Sequence, residues 1–186
     1  MLHEKGMGCQ IINVDLHNNL EAVATMASYA SLPALVERDL ILYESNIINE
    51  YIDDRFPHPR LMLTDPGMRA RARLSLYRFE QDLFCHIDAM EQDNPEIAAK
   101  ARAAIRDNLA ILAPMLAKQE FLLGDEYSIL DVAIAPLLWR LEHYEIQLPK
   151  EAVAVLEFAE RLFTRPAFIP ATTAAEKAMR KKSTDG

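Results

Sequence analysis

The sequence predicts two domains, a small α/β domain followed by an all-helical domain, and three features support this. Short apolar runs typical of strands fall within the first 65 residues. Prolines cluster between residues 57 and 66. After that cluster, apolar residues recur at the three- and four-residue steps of buried helices. We therefore assign residues 1–56 to the α/β domain, 57–66 to a linker and 67–186 to the helical domain.

The composition predicts a globular protein dominated by helix. Of 186 residues, 51% are hydrophobic, 26% are charged and only 5 are Gly. This scarcity of glycine disfavours an all-β fold with many tight turns. The net charge of −8 disfavours nucleic acid as the main partner, because duplex binding depends on neutralising phosphates.

The sequence shows no signal for export, membrane insertion, disulfide bonding or metal binding. Its start contains an acid and lacks the apolar core of a secretory signal. The longest stretch without charged residues, 22–36, is shorter than the ~20 apolar residues of a membrane span. Cys9 and Cys85 lie in separate segments, and four of the five histidines lack metal-ligand spacing: His3, His17, His86 and His143. We therefore expect a cytoplasmic protein without a metal site.

The α/β domain is predicted from short runs. Residues 9–14 are apolar and β-branched, which is typical of a strand, and residues 19–27 predict a short helix. Residues 34–37 and 40–43 are apolar bursts separated by two polar residues, Arg38 and Asp39. This arrangement predicts a β-hairpin.

A helix is predicted to follow the hairpin. Ser45 can cap its first turn, because a serine oxygen there accepts hydrogen bonds from free backbone N–H groups. The next apolar positions have helical spacing: Ile47, Ile48, Tyr51 and Ile52. The run 56–59, Phe-Pro-His-Pro, ends the helix because two closely spaced prolines cannot continue it.

Three apolar stripes predict the helices of the second domain. The first is Leu76, Phe79, Leu83, Ile87 and Met90. The second follows a break at Asn94-Pro95: Ile97, Ala101, Ile105, Leu109, Leu112 and Leu116. The third ends before Pro166: Val155, Phe158 and Leu162. From Glu176 the tail is polar and basic, and we expect it to fray.

A buried central helix is predicted between the second and third stripes. Ser128 and Asp131 have the Ser-x-x-Asp spacing of a capping box. Residues 132–141 are apolar almost all round, so this helix should be buried, with Trp139 in the core. Pro136 is expected to kink it.

Three runs of this sequence carry a resemblance that covers essentially the whole chain. They are His3-Glu-Lys-Gly6, Tyr51-Ile-Asp-Asp-Arg-Phe-Pro-His-Pro-Arg-Leu-Met62 and Ala135-Pro-Leu-Leu-Trp-Arg-Leu141. They resemble the stringent starvation protein A family, whose members have a glutathione-transferase-like fold and associate with RNA polymerase. The stretch 31–45 is similar to the thioredoxin-like half of that fold. The resemblance implies a thioredoxin-like N-terminal domain and an all-α C-terminal domain.

The chain departs from the family pattern at three places. Family chains begin with a strand and most of a helix before the residues that match His3 to Gly6. We therefore expect the first strand of the sheet to be missing here or to lie upstream. Ala27-Ser28 stands where an Asn-Pro often occurs, and non-proline residues follow the Pro-His-Pro run: Arg60, Leu63 and Asp65. We therefore expect the partner-binding surface to lie at the same place as in the family but to carry different side chains.

The resemblance implies a glutathione-site-like arrangement at Leu32, Pro33, Glu44 and Ser45. In the fold the matching proline is cis, and the Glu-Ser pair holds the γ-glutamyl end of glutathione. From the residues alone, Pro33 would be trans and Ser45 a plain helix cap. In the family a thiolate-activating Tyr, Ser or Cys lies near the first strand, which we expect to be missing here or to lie upstream. We therefore assign no catalytic residue and no cofactor, with glutathione binding as the alternative.

The candidate partner-binding residues form one run: Phe56, Pro57, His58, Pro59 and Arg60. Its prolines predict a rigid corner that loses little entropy on binding, while the aromatic rings supply contact area. A stiff interdomain linker explains the same residues. The resemblance implies a surface needed for a role in transcription.

The resemblance also implies a homodimer that buries the start of the long helix at Arg69, Arg73 and Tyr77. From the residues alone, Arg69, Arg71 and Arg73 fit a solvated face or a surface for an acidic protein.

The resemblance thus implies a binding protein for RNA polymerase holoenzyme and sigma factor, and the acidic charge fits a protein that does not read DNA directly. The alternatives are a glutathione transferase or peroxidase, and a structural adaptor.

Overall fold

The computed structural model describes residues 1–12 and 32–180. The chain divides into two compact units, Met1–Arg60 and Leu61–Gly186, and the division falls inside the predicted linker. The helix predicted over residues 19–27 lies outside the described residues, as does the end of the strand predicted over residues 9–14.

A β-hairpin and a helix follow one another in the N-terminal unit. Strand β1 (Ala34–Glu37) pairs antiparallel with β2 (Leu40–Tyr43), and Ala34 lies opposite Tyr43. Helix α1 (Ser45–Arg55) comes next. The Tyr51 hydroxyl donates a 2.7 Å hydrogen bond to the Glu37 carboxylate and so ties α1 to β1. The predicted hairpin and the helix after it are confirmed.

The strand predicted from Cys9 is wrong over its described part, because residues 9–12 have no regular secondary structure. A strand exists only when its backbone pairs with a neighbour. In the described part of the chain, β1 and β2 pair with each other.

Helices joined by loops make up the described C-terminal unit, apart from an isolated β-bridge between Phe121 and Gly124. Its α-helices are α2 (Pro66–Asp82), α3 (Ile87–Met90), α4 (Pro95–Ile111), α5 (Ala113–Leu116), α6 (Ile129–Trp139), α7 (Val153–Phe163), α8 (Phe168–Ala171) and α9 (Ala174–Met179). Short 3-10 turns lie at Phe84–His86 and Lys150–Ala152. No helix in the described ranges is both long enough and apolar enough to cross a membrane.

The core of this unit surrounds α6, where Ile129, Ile134 and Trp139 are buried. The capping box predicted at its start is confirmed, since Ser128 and Asp131 make both reciprocal bonds. The third predicted stripe is also confirmed in α7, where Val155, Phe158 and Leu162 are buried.

The first two stripes each continue past a helix end that the spacing did not predict. Helix α2 ends at Asp82, whose carbonyl accepts a 2.8 Å hydrogen bond from the Asn108 side chain. Helix α4 ends at Ile111, and Pro114 has no N–H to continue it. Within the second stripe, Ile97 is 41% exposed and is not a core residue.

The tail is ordered further than predicted, because Glu176 lies inside α9. Thr173 and Glu176 form a second capping box. The Trp139 indole N–H donates a 2.7 Å hydrogen bond to the Glu176 carbonyl, and Arg140 pairs with the Glu176 carboxylate at 2.8 Å. These bonds hold Glu176, where the predicted fraying was to begin; residues 181–186 lie outside the described residues.

Candidate functional site

The proline corner, residues Phe56–Arg60, follows directly on the end of α1. The Phe56 N–H bonds to the Ile52 carbonyl at 2.9 Å and closes the last turn. Phe56 and Pro57 are half-buried, whereas His58, Pro59 and Arg60 are exposed. The His58–Pro59 peptide bond is cis. The corner therefore presents an imidazole, a proline ring and a guanidinium to solvent.

A buried lysine contacts this corner. The Lys5 ammonium donates a 2.5 Å hydrogen bond to Asp53 Oδ1 and a further one to the Pro59 carbonyl. Both side chains of the Lys5–Asp53 pair are fully buried. A charge away from water is tolerated when it is paired and hydrogen-bonded, and this pair meets that requirement.

The turn that carries Lys5 ends in a Schellman motif. The Gly6 N–H bonds to the His3 carbonyl, and the Met7 N–H bonds to the Leu2 carbonyl. Gly6 has φ 63°, a left-handed conformation that favours glycine. In the sequence, the glycine directly after Lys5 is the signal for this turn, because glycine is favoured at its left-handed end. Sequence reasoning quoted this run but did not identify Lys5 as part of the site.

The four glutathione-site-like residues lie at the open end of the hairpin. Since Ala34 pairs with Tyr43, the antiparallel register brings Leu32-Pro33 beside Glu44-Ser45. All four residues are exposed. The Leu32–Pro33 peptide bond is cis, as the resemblance implied.

Ser45 is not the helix cap that was predicted. The cap position is Glu44, and the Glu44 side chain makes no capping hydrogen bond. Glu44 has φ 69° and ψ 115°, a backbone conformation that L-residues rarely adopt. This backbone directs the chain from β2 into α1 and leaves Ser45 as the first helical residue. The site therefore offers an exposed hydroxyl beside the helix N-terminus, a favourable environment for a carboxylate.

The three predicted dimer residues lie on α2. Arg69 is half-buried, and Arg73 and Tyr77 are exposed. Sequence reasoning missed Leu74, which is 60% exposed beside Tyr77 at 61%. Ala70, Leu74 and Tyr77 follow the i, i+4, i+7 spacing of a second apolar face, so this signal was present in the sequence.

A cavity of about 410 Å³ opens on the C-terminal unit, of the size that small ligands occupy. Its walls come mainly from α2, α4, α5 and the start of α6, and include Phe79, Ile111 and Met115. It contains none of the predicted site residues. Within residues 1–12 and 32–180, no group of three His, Cys, Asp or Glu could hold a metal ion.

Two family models match this chain. The glutathione S-transferase N-terminal domain matches residues 1–54, and the C-terminal domain matches residues 78–168. A crystal structure of a glutathione transferase from Methylococcus capsulatus superposes with a TM-score of 0.81 at 26% identity, over 96% of this chain and 90% of that chain. The predicted fold class, a thioredoxin-like N-terminal domain with a helical C-terminal domain, is confirmed.

The chain is similar to proteins of two groups, stringent starvation protein A homologs and glutathione S-transferases of the omega-2 type. The chain is 35% identical over 182 residues to a stringent starvation protein A homolog from Coxiella burnetii, covering 97% of this chain and 87% of that protein. It is 37% identical to the homolog from Haemophilus ducreyi, covering 90% and 79%. Glutathione S-transferase omega-2 of Rattus norvegicus is 29% identical, covering 77% and 60%.

Proposed function

Because this chain belongs to the stringent starvation protein A family, we propose that it alters transcription under stress by binding RNA polymerase holoenzyme and its sigma factor. The observation that carries the proposal is the exposed corner after α1, where His58, Pro59 and Arg60 face solvent. In this proposal the protein acts as a binding partner and not as an enzyme.

The corner has the properties of a docking surface. Each proline ring restricts its own backbone, and the Pro59 carbonyl accepts a hydrogen bond from Lys5. Because the corner is already restrained in these two ways, it loses little conformational freedom on binding. Arg55 stacks on the Phe56 ring with 5.3 Å between guanidinium and ring centroid. Phe56 itself is half-buried, and the exposed residues of the corner follow it.

The charge of the protein supports a protein partner on the transcription machinery. At a net charge of −8, phosphate neutralisation is a poor source of affinity, so DNA is contacted through the polymerase. We propose a cytoplasmic homodimer, with its subunits meeting at the face of α2 that carries Arg69, Arg73 and Tyr77.

The test is retention of purified RNA polymerase holoenzyme on the immobilised protein. Wild type should retain the polymerase, and His58→Ala or Pro57→Ala should retain much less of it. His143→Ala is the matched control, because His143 is an exposed histidine in the C-terminal unit. Equal retention by all variants would contradict the assignment of the corner, and no retention by wild type would contradict the function.

The hairpin end favours a second candidate, glutathione binding in a transferase-like or other glutathione-dependent enzyme. Glu44 and the Ser45 hydroxyl are exposed beside the N-terminus of α1, and Leu32-Pro33 lies next to them. A γ-glutamyl carboxylate fits a helix N-terminus and a serine hydroxyl. Retention on immobilised glutathione that Ser45→Ala abolishes, together with turnover of an electrophile, would favour this candidate.

A further inference from the structure

We propose that Lys5 is a positioning residue for the proline corner, an inference that rests on the proposed function. The Lys5 ammonium connects the last turn of α1 to the corner, because it donates to both Asp53 and the Pro59 carbonyl. The Lys5 and Asp53 side chains are both fully buried. The cation therefore bridges the last turn of α1 and the Pro59 carbonyl.

The chemistry of the corner explains why it is held through a carbonyl. Pro57 and Pro59 have no backbone N–H, so two of the corner's residues cannot donate hydrogen bonds. Their carbonyls can only accept. A lysine ammonium carries three donors and no acceptor, and so it can bond the Pro59 carbonyl while Asp53 balances its charge.

The position of Lys5 is itself set by local structure. The Schellman motif at Gly6 ends the N-terminal turn immediately after Lys5. Asp53 lies on the buried face of α1 with Ile48 and Ile52. The N-terminal turn therefore places the ammonium, α1 places the carboxylate, and the ammonium also bonds the corner. Loss of the ammonium would leave the corner to sample other conformations, which docking would have to order again.

A double variant separates positioning from folding. Lys5→Met alone would leave Asp53 as a buried charge without its cation, which strongly destabilises proteins. Lys5→Met with Asp53→Leu removes both charges at similar volume, an exchange that proteins often tolerate. The double variant lacks the donor to Pro59. Tyr51→Phe is the matched control, because it deletes a different side-chain bond of the same helix.

The experiment has two readouts on the full chain. The first is the rate of tryptic cleavage after Arg60 in the free protein, followed by mass spectrometry. The second is the affinity for purified RNA polymerase holoenzyme. Melting temperature is checked first, so that only folded variants are compared.

The double variant should be cleaved after Arg60 roughly tenfold faster and should bind polymerase roughly tenfold more weakly, the factor expected for losing one charge-assisted hydrogen bond. Tyr51→Phe should match wild type in both readouts. Lys5→Arg, with Asp53 unchanged, keeps the charge and the hydrogen-bond donors, so its cleavage rate and its polymerase affinity should stay close to those of wild type.

Cleavage of the double variant at the wild-type rate would overturn the inference, and so would unchanged polymerase affinity despite faster cleavage. If wild type binds no polymerase, the proposed function fails. The cleavage rate then decides by itself whether Lys5 holds the corner.

Discussion

The Asp131 carboxylate accepts two 2.7 Å hydrogen bonds from Ser128, one from its backbone N–H and one from its hydroxyl. Its other oxygen accepts a 3.0 Å bond from the Leu122 N–H. Both Ser128 and Asp131 are buried at the start of α6. One side chain thus caps the central helix and fixes the preceding loop.

Asp131→Ala should therefore destabilise the protein strongly. Two buried backbone N–H groups, those of Ser128 and Leu122, would lose their acceptor, each at about 1–3 kcal/mol. The free energy of unfolding, measured by urea denaturation, should fall by at least about 2 kcal/mol. Thr173→Ala, at the exposed capping box of α9, should lose only about 1 kcal/mol. Equal losses of unfolding free energy in the two variants would show that burial does not increase the cost of losing a capping bond.

Glu176 should make stability depend on pH. Burial alone would raise the pKa of Glu176, but bonds from Thr173 and Arg140 outweigh it and hold the pKa below its usual 4.5. A lowered folded pKa means that the stabilisation is complete above about pH 4.5 and is lost as pH falls through the folded pKa.

The difference in unfolding free energy between wild type and Glu176→Gln should accordingly be largest at pH 7 and should shrink at pH 3. Urea denaturation at both pH values measures it. Glu157→Gln removes a charge from an exposed position and serves as the control. A difference that does not change with pH would contradict the expectation.

The backbone of Glu44 should store conformational strain. At φ 69° a side chain is disfavoured, and glycine removes the clash. Glu44→Gly should be more stable than Glu44→Ala by about 1–2 kcal/mol, because only glycine adopts this conformation readily. Thermal unfolding of the two variants measures the difference. Equal stability of Glu44→Ala and Glu44→Gly would exclude strain at this position.

The exposed apolar face of α2 should mediate dimerisation. Tyr77→Glu places a charge beside Leu74, in a surface that we expect to be buried between subunits. Sedimentation velocity should show wild type as a dimer and Tyr77→Glu as a monomer. Val153→Glu is the control, since Val153 is 53% exposed on α7 in the same unit. Dissociation by both variants, or by neither, would contradict this interface.

Patterns within a few residues predicted most of the secondary structure. The turn at Arg38-Asp39 predicted the hairpin, and the Ser-x-x-Asp spacing predicted the cap of α6, because both depend on contacts made inside one turn. The break predicted at Asn94-Pro95 is likewise local: α4 begins at Pro95, and the structure adds that the Asn94 side chain caps it. The resemblance carried by the Phe-Pro-His-Pro run located the proposed surface.

Local spacing and hydrophobicity are enough to predict the order of the two domains, the hairpin and the buried faces of the main helices. The end of α2 at Asp82 depends on a long-range contact, because the bond comes from Asn108 on another helix. The burial of Lys5 against Asp53, 48 positions away, also depends on the folded chain. A lone lysine in a sequence indicates solvent exposure, and burial becomes possible only when folding brings a carboxylate and a carbonyl to the same ammonium.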